Sequence, residues 1–216
     1  MRINHGKNFC LKDKRSIFID KSVKIGDNVV IYENNRIEGD TVIGDNVTIM
    51  PGCYIKDTKI DNGSTINSTQ SESAVVGKDC YVGPFARLRP GAVLHDHAKI
   101  GNFVEIKNAV IGEGSKVNHL AYVGDADVGK NCNIGCGAIF VNYNGKTKSR
   151  TVVGDECFIG SNCNLIAPVN IEERSYICAG TTITKDVKTD DFVIGRVRQE
   201  VKEGRAHLYL KERKGV

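Results

Sequence analysis

The sequence predicts an all-β protein, a parallel β-helix built from hexapeptide repeats. Aliphatic residues recur every six positions, glycine often follows them, and a small residue comes four positions after each one. A period of six matches neither the helical period of 3.6 nor the alternation of an unbroken strand. Each hexad is therefore predicted to be a short strand followed by a turn. Three hexads then form one triangular coil, in which the aliphatic side chains stack inward on their equivalents one coil away.

The aliphatic anchors of the repeat hold their phase in several runs, too long for a chance pattern. They are Ile25, Ile31, Ile37, Ile43, Ile49 and Ile55; Ile60 and Ile66 after a slip of one residue; Val76, Val82, Leu88, Leu94, Ile100 and Ile106; Ile111, Val117 and Val123; Val128, Ile134 and Phe140; and Val153, Ile159, Leu165, Ile171, Ile177 and Ile183. Glycine after an anchor relaxes the backbone where the chain turns a corner.

The repeat divides the chain into a lead-in segment (1–22), the β-helix (23–187) and a C-terminal tail (188–216). The tail is charged, and we predict that it is partly helical and caps the open end of the coil. Inside the repeat, residues 67–75 are predicted to be a polar connector. Residues 141–152, rich in Asn, Gly and Lys, are predicted to form a protruding loop, and such insertions project from a face that often binds the ligand.

The chain has eight cysteines but no CxxC pair, which does not favour a zinc site or a disulfide framework. Five of them occupy the small inward position, where a free thiol acts as a small hydrophobe. These are Cys53, Cys80, Cys132, Cys157 and Cys163. Cys136 and Cys178 fall outside that position and Cys10 precedes the repeat, so their roles stay open.

Charge and hydropathy exclude two classes of partner. A nucleic-acid-binding protein would show a strong excess of basic residues or a basic surface with stacking aromatic residues. A net charge of +4 with 6% aromatic residues fits neither. The first ten residues contain no apolar signal segment, and no stretch approaches the roughly 18 apolar residues that span a bilayer. We therefore expect a cytoplasmic protein that binds neither nucleic acid nor membrane.

Polar residues able to do chemistry concentrate in the middle third of the chain. They are Arg87, Arg89, Lys107, His119, Tyr122, Asn133, Asn142, Tyr143 and Lys148. Stacking of coils can gather Arg89, Lys107 and Lys148 into a site for a phosphorylated ligand, although such residues are more often a solvated surface. His119 suits a general base because histidine titrates near neutral pH, but from the residues alone a surface or hydrogen-bonding histidine is the more common case.

Longer stretches resemble one enzyme family. VGPFARLRPGA, IGNFVEIKNAVIGEGSKVNHLAYVGDADVG and NCNIGCGAIFVNYNGKTK, followed by FIGSNCNLIAPV and AGTTITKDV, are similar to the acetyltransferase half of the bifunctional N-acetylglucosamine-1-phosphate uridyltransferase and glucosamine-1-phosphate acetyltransferase. The resemblance covers nearly the whole chain and is tightest over residues 82–187. It implies a left-handed β-helix, a homotrimer with active sites between subunits, acetyl-CoA as cosubstrate and no metal.

The resemblance also implies a role for individual residues. His119 matches the general base. Residues matching those that hold the aminosugar phosphate are Arg89, Lys107, Tyr122, Lys148 and the sugar-contacting Asn133 and Asn142. Residues matching those that contact the acetyl group or coenzyme A are Tyr143, Ser161, Cys136, Ala179 and Arg196, with Lys202 as a further candidate.

The implied reaction is N-acetylation of glucosamine-1-phosphate on the route to UDP-N-acetylglucosamine, a peptidoglycan precursor. The amine loses a proton to His119 and attacks the thioester directly, so Cys136 is not expected to act as a nucleophile. This sequence contains no counterpart of the family's uridyltransferase half, so we do not expect uridyl transfer, and the resemblance makes a separate uridyltransferase chain a candidate partner.

Three alternatives remain at this stage. Galactosamine-1-phosphate would fit the same phosphate cradle and base. A zinc carbonic anhydrase on this type of fold needs three histidines, and His5, His95, His97 and His207 do not match that arrangement. A non-catalytic scaffold should have lost its site residues, whereas His119 and Lys107 are both present.

Overall fold

The structure is a computed structural model that describes residues 4–210. The chain winds as a parallel β-solenoid, which confirms the predicted all-β fold. Each coil has three faces, here named A, B and C in the order in which the chain passes from one to the next. The corners are named by the faces they join, so the A/B corner follows face A.

Face A is a parallel sheet of eleven short strands. They are β2 (Cys10–Leu11), β5 (Val30–Ile31), β8 (Thr48–Ile49), β11 (Thr65–Ile66), β14 (Tyr81–Val82), β17 (Lys99–Asn102), β19 (Lys116–His119), β21 (Asn133–Ile134), β24 (Phe158–Ile159), β27 (Tyr176–Ile177) and β29 (Phe192–Val193).

Faces B and C are joined because β18 and β20 run through the corner between them. Face B consists of β3 (Phe18–Ile19), β6 (Arg36–Glu38), β9 (Tyr54–Lys56), β12 (Gln70–Glu72), β15 (Arg87–Leu88), the first halves of β18 (Glu105–Ile111) and β20 (Tyr122–Val128), β22 (Ile139–Val141), β25 (Asn164–Ile166) and β28 (Thr182–Ile183). Face C consists of β1 (Asn4–His5), β4 (Lys24–Ile25), β7 (Val42–Ile43), β10 (Lys59–Ile60), β13 (Val75–Val76), β16 (Val93–Leu94), the second halves of β18 and β20, β23 (Thr151–Val153) and β26 (Val169–Ile171).

The core is the stack of aliphatic anchors. On face C, for example, Ile25 pairs in register with Ile43, and Ile43 pairs with Ile60. Each of these side chains is at most 6% exposed. Burying one such side chain contributes about 1.5–3 kcal/mol, so the repeated stack stabilises the solenoid and fixes its register.

The small inward position is confirmed for the five predicted cysteines, all of which are buried, and all eight cysteines are free thiols. Burial raises the pKa of the Cys53 and Cys80 thiols to about 11, which keeps them protonated and unreactive. Cys178 is also buried, whereas Cys10 and Cys136 are half-buried.

The prediction that residues 67–75 form a polar connector is wrong. Strand β12 within it pairs with β9 and β15 in regular register. Ser71 takes the inward position between Ile55 and Leu88, where its hydroxyl lies 3.0 Å from the Thr58 hydroxyl. A serine hydrogen-bonded to a threonine thus replaces an aliphatic anchor, which a search for aliphatic residues alone overlooks.

The coil also extends past both predicted boundaries. Strands β1, β2 and β3, from the predicted lead-in 1–22, pair with β4, β5 and β6. Beyond residue 187, β29 pairs with β27. The helical part of the tail within residues 4–210 is one 3-10 turn, Ala206–Leu208. In this described part of the chain, no helix has the length and apolar character needed to cross a membrane.

Candidate functional site

The A/B corner aligns one group of predicted residues. Register pairing on face A places His119, Cys136, Ser161 and Ala179 at equivalent positions of successive coils. This row of residues continues beyond Ala179 to Arg196, because the Arg196 guanidinium Nη1 donates to the Ala179 carbonyl oxygen at 3.0 Å. Residues far apart in the sequence therefore form one column along the solenoid axis.

Glycine keeps the face A side of this column free of side chains. A Cβ atom on Gly135 would lie 2.6 Å from the Ser161 nitrogen, and one on Gly160 would lie 2.4 Å from the Ala179 nitrogen. Any side chain at either glycine would displace the next coil, so only glycine allows this stacking. The column thus presents backbone and small side chains to an extended ligand.

His119 lies at the head of the column, at the end of β19. Its exposed ring has Nδ1 2.7 Å from the Asn102 side-chain oxygen, one coil away. Because an amide oxygen accepts a hydrogen bond, this contact favours the tautomer of the neutral ring with the proton on Nδ1 and the lone pair on Nε2. The ring borders an open groove of about 220 Å³ that Tyr81, Lys99 and Asn118 also line.

The B/C corner is built around a buried carboxylate, Asp125. Both of its oxygens lie 3.1 Å from the Lys107 ammonium, and Asn108 donates to one of them at 2.6 Å. Asn142 donates to the other oxygen. Burial alone would raise the pKa of the Asp125 carboxyl, but the hydrogen bonds from Asn108, Lys107 and Asn142 outweigh it and lower that pKa.

The hydrogen bond between Lys107 and Asp125 also raises the pKa of the Lys107 ammonium, which therefore stays positively charged. The Lys148 side chain also approaches Lys107. Two ammonium groups beside one carboxylate leave a net positive charge at this corner, which favours an anionic ligand. Arg89 lies one coil from Lys107. Part of its hydrogen-bonding capacity is already used, because its Nη1 donates to Glu105 Oε1 at 2.8 Å.

Tyr122 closes this cluster on face B. Its hydroxyl lies 3.4 Å from the Asn142 side-chain nitrogen. Its ring lies over Gly124, where an added Cβ would come within 2.3 Å of the hydroxyl oxygen. Position 124 has the register of Lys107 one coil away, so glycine there gives Tyr122 the space to reach Asn142.

The protruding loop is narrower than the predicted 141–152, because residues 141 and 151 belong to strands. Its residues 142–150 carry Tyr143 and Lys148, which form an isolated antiparallel bridge. At the tip, the Asn144 side-chain oxygen accepts from the Lys146 and Thr147 backbone at 2.9 and 2.8 Å. The loop is thus folded on itself.

The predicted site residues therefore fall into two groups in one chain. The B/C corner gathers Arg89, Lys107, Tyr122, Asn142 and Lys148, and the A/B corner gathers His119, Cys136, Ser161, Ala179 and Arg196.

The side chains of three predicted residues join neither group. Asn133 lies on face A between Lys116 and Phe158. Tyr143 lies on the loop and donates to the Gly145 carbonyl oxygen at 2.7 Å. Lys202 is exposed in the tail. The structure of one chain therefore does not place these side chains beside the groups to which the resemblance assigned them.

The sequence analysis missed Asp125, Asn102 and Asn108. Asp125 lies one coil below Asn108 and beside Lys107, a relation that the register contains. The signal was therefore the spacing of 17 residues between Asn108 and Asp125 within the repeat. Using it requires knowing that corner side chains point along the solenoid axis towards the neighbouring coil.

Within residues 4–210, no group of three or more His, Cys, Asp or Glu side chains is arranged to hold a metal ion.

Two family models match parts of the chain. One, described as the GMPPB C-terminal domain, matches residues 14–100. The other, described as the hexapeptide repeat of succinyl-transferase, matches residues 150–185.

Curated relatives match nearly the whole chain. The bifunctional protein GlmU of Listeria monocytogenes serovar 1/2a is 47% identical over 207 residues, which are 95% of this chain and 45% of the relative. The bifunctional protein GlmU of Geotalea uraniireducens is 50% identical over 195 residues, covering 90% and 43% of the two chains. The chain thus spans less than half the length of these relatives.

Solved structures support the fold. LpxA, a UDP-N-acetylglucosamine acyltransferase from Bacteroides fragilis, aligns with a TM-score of 0.65 at 16% identity and covers 83% of this chain and 70% of that chain. UDP-N-acetylglucosamine acyltransferase from Campylobacter jejuni aligns with a TM-score of 0.51 at 19% identity and the same coverage. The left-handed parallel β-helix is thereby confirmed.

Proposed function

The chain belongs to the same family as the matching part of the bifunctional GlmU proteins, and on this basis we propose that it acetylates the amine of glucosamine-1-phosphate with acetyl-CoA. The observation that carries the proposal is the pairing of a fixed histidine with a cationic cluster on one solenoid. A phosphorylated amine needs a base for its proton and cations for its phosphate. The product, N-acetylglucosamine-1-phosphate, belongs to the route to UDP-N-acetylglucosamine.

The A/B corner is the proposed site of acetyl transfer. Coenzyme A would lie along the column of Cys136, Ser161, Ala179 and Arg196, with its thioester near His119. Nε2 of His119 would take the proton of the attacking amine, and Asn102 holds the tautomer that makes this possible. Transfer is direct, so it needs no covalent enzyme intermediate.

The B/C corner is the proposed phosphate site. Lys107 and Lys148 would contact the phosphate, with Arg89 sharing its guanidinium between Glu105 and the ligand. Asn142 and Tyr122 would contact the sugar. Contacts remote from the amine orient it for attack and convert binding energy into rate.

The proposed active site is completed by further copies of the chain. His119 and Lys107 lie at different corners, on either side of face B. A homotrimer would bring the A/B corner of one protomer to the B/C corner of another, and would give Asn133 and Tyr143 their proposed roles. A separate uridyltransferase chain is a further proposed partner.

The test is release of free thiol from acetyl-CoA with glucosamine-1-phosphate, corrected for the eight cysteines of the chain. We expect turnover by the wild type and a loss of about 100-fold or more in kcat for His119→Ala, as for removal of a general base. His97→Ala is the matched control, because His97 is an exposed corner histidine outside both groups.

Galactosamine-1-phosphate is the competing acceptor. Preference for it would replace glucosamine with galactosamine in the proposal. If a folded trimer acetylates neither aminosugar phosphate, the proposed reaction is wrong, and another acyl acceptor or a scaffolding role has to be considered.

A further inference from the structure

Strand β20 contacts both ends of the protruding loop 142–150. At the start of the loop, Asn142 donates to Asp125, and this carboxylate is only 10% exposed. At the end of the loop, Arg150 donates through Nε and Nη2 to the two oxygens of Asp127. Two aspartates that flank a single residue, Ala126, therefore hold the two ends of a nine-residue loop.

The anchor at Arg150 is more than a surface ion pair. Its Nη1 donates to the Asn108 carbonyl oxygen and its Nη2 donates to the Ala126 carbonyl oxygen, both at 3.0 Å. The guanidinium thus joins the loop to two successive coils of the B/C corner. A planar bidentate contact of this kind fixes direction as well as distance.

The loop transmits these anchors to Lys148. The backbone nitrogen of Ser149 donates to the Asn142 carbonyl oxygen at 2.9 Å, which closes the loop at its base. Lys148 lies one residue from this closure and two residues from Arg150, and it bridges to Tyr143. Because the base is closed and the tip is folded, displacing either end displaces the Lys148 ammonium.

We propose that Asp125 and Asp127 are positioning residues that fix loop 142–150 from both ends and thereby set the affinity of the site for the phosphate group of its acceptor. This inference rests on the proposed function above. Asp125 acts on two predicted ligands, Lys107 and Asn142, whereas Asp127 acts only through the loop. Loss of Asp125 therefore has the larger effect.

The substitutions are Asp125→Asn and Asp127→Asn, which keep size and remove charge. The matched control is Asp190→Asn, because Asp190 receives a similar bidentate contact from Arg174, at 2.8 and 3.2 Å, on a coil without a loop. For each protein, kcat and KM are measured with glucosamine-1-phosphate, acetyl-CoA and glucosamine, the acceptor without phosphate.

We expect KM for glucosamine-1-phosphate to rise roughly 30-fold in Asp125→Asn and roughly fivefold in Asp127→Asn. KM for acetyl-CoA should stay within about twofold of wild type in both variants, as should kcat/KM for glucosamine in Asp127→Asn and every value for the control. In Asp125→Asn, which also frees the sugar-contacting Asn142, kcat/KM for glucosamine should fall by less than kcat/KM for glucosamine-1-phosphate. The exchange Asp127→Arg with Arg150→Asp should recover most of the loss, because it restores the pair. Equal losses on the two acceptors, or an unchanged KM for the phosphorylated one, would overturn the inference.

Trypsin separates this inference from the proposed function. Lys146 and Lys148 lie in the exposed part of the loop, and neither Asp125→Asn nor Asp127→Asn alters a cleavage site. Both variants should be cut there several-fold faster than wild type and Asp190→Asn. Unchanged cleavage would refute the anchoring even if acetylation is observed. Faster cleavage in a protein that acetylates no aminosugar phosphate would refute the proposed function and the phosphate role while leaving the anchoring established.

Discussion

The two corners that border face B use the same coil geometry in opposite ways. The A/B corner offers backbone and small side chains in a line, from His119 to Arg196. The B/C corner offers charged side chains locked to one another around Asp125. A row of small side chains suits a long ligand with many contacts, whereas a cluster of hydrogen-bonded charged side chains suits one compact anion.

The B/C corner itself shows how this cluster departs from the ordinary coil. Asp57 holds the same corner position four coils earlier, and its carboxylate accepts from the Asp40 backbone nitrogen at 2.9 Å. Asp125 accepts instead from the side chains of Lys107, Asn108 and Asn142. A residue that elsewhere satisfies the backbone of its neighbour thus becomes the centre of the candidate site.

One expected effect that separates the corners is steric, and it is larger than the effects that follow. Ala179 is exposed on the A/B column, so Ala179→Leu adds bulk to the proposed coenzyme A groove without entering the core. Forcing a ligand past such a group costs about 1.8 kcal/mol, within the range for overpacking. We expect KM for acetyl-CoA to rise roughly 20-fold with KM for glucosamine-1-phosphate unchanged, in steady-state assays.

Glu33→Leu is the control, because Glu33 has the register of this column near the N-terminal end of the same corner. It should leave both KM values as in wild type. A rise in KM for the aminosugar phosphate in Ala179→Leu would mean that the two corners do not divide the substrates as we propose.

The next effect concerns the His119 tautomer. Asn102→Ala removes the oxygen that accepts from Nδ1, so the ring can rotate and either nitrogen can carry the proton. We expect kcat to fall about tenfold, as for other residues that orient a functional histidine, with both KM values within about twofold. Asn102→Asp should recover kcat because a carboxylate accepts the same hydrogen bond.

Asn118→Ala is the matched control, because Asn118 lines the same groove. If it lowers kcat as much as Asn102→Ala does, the effect comes from the groove as a whole and the assigned role of Asn102 is wrong.

These expectations also show what the sequence could and could not predict. The six-residue period predicted the β-helix and the buried cysteines because both follow from local alternation of side chains. The six-residue period of aliphatic residues did not reveal Ser71, because a hydrogen-bonded serine can fill an inward position. Lys107 and His119 were visible as residue types, but Asp125 gains its role only from three donors on two other coils.

The smallest effect concerns the acid stability that the Asp125 cluster gives to the fold. The pKa of Asp125 is lower in the folded chain than its usual value, despite burial, because of its three donors. Such a carboxylate stabilises the fold above its unfolded pKa and loses this contribution as the pH falls through its folded pKa. Asp125→Asn should therefore lower the free energy of unfolding by about 1 kcal/mol at pH 7, and the difference should persist to about pH 5 and shrink in stronger acid. Urea unfolding of both proteins between pH 7 and pH 3 measures this difference. A gap that stays constant through the acid range would mean that the ionised form of Asp125 is not what the cluster requires, and that the B/C corner depends on its shape rather than its charge.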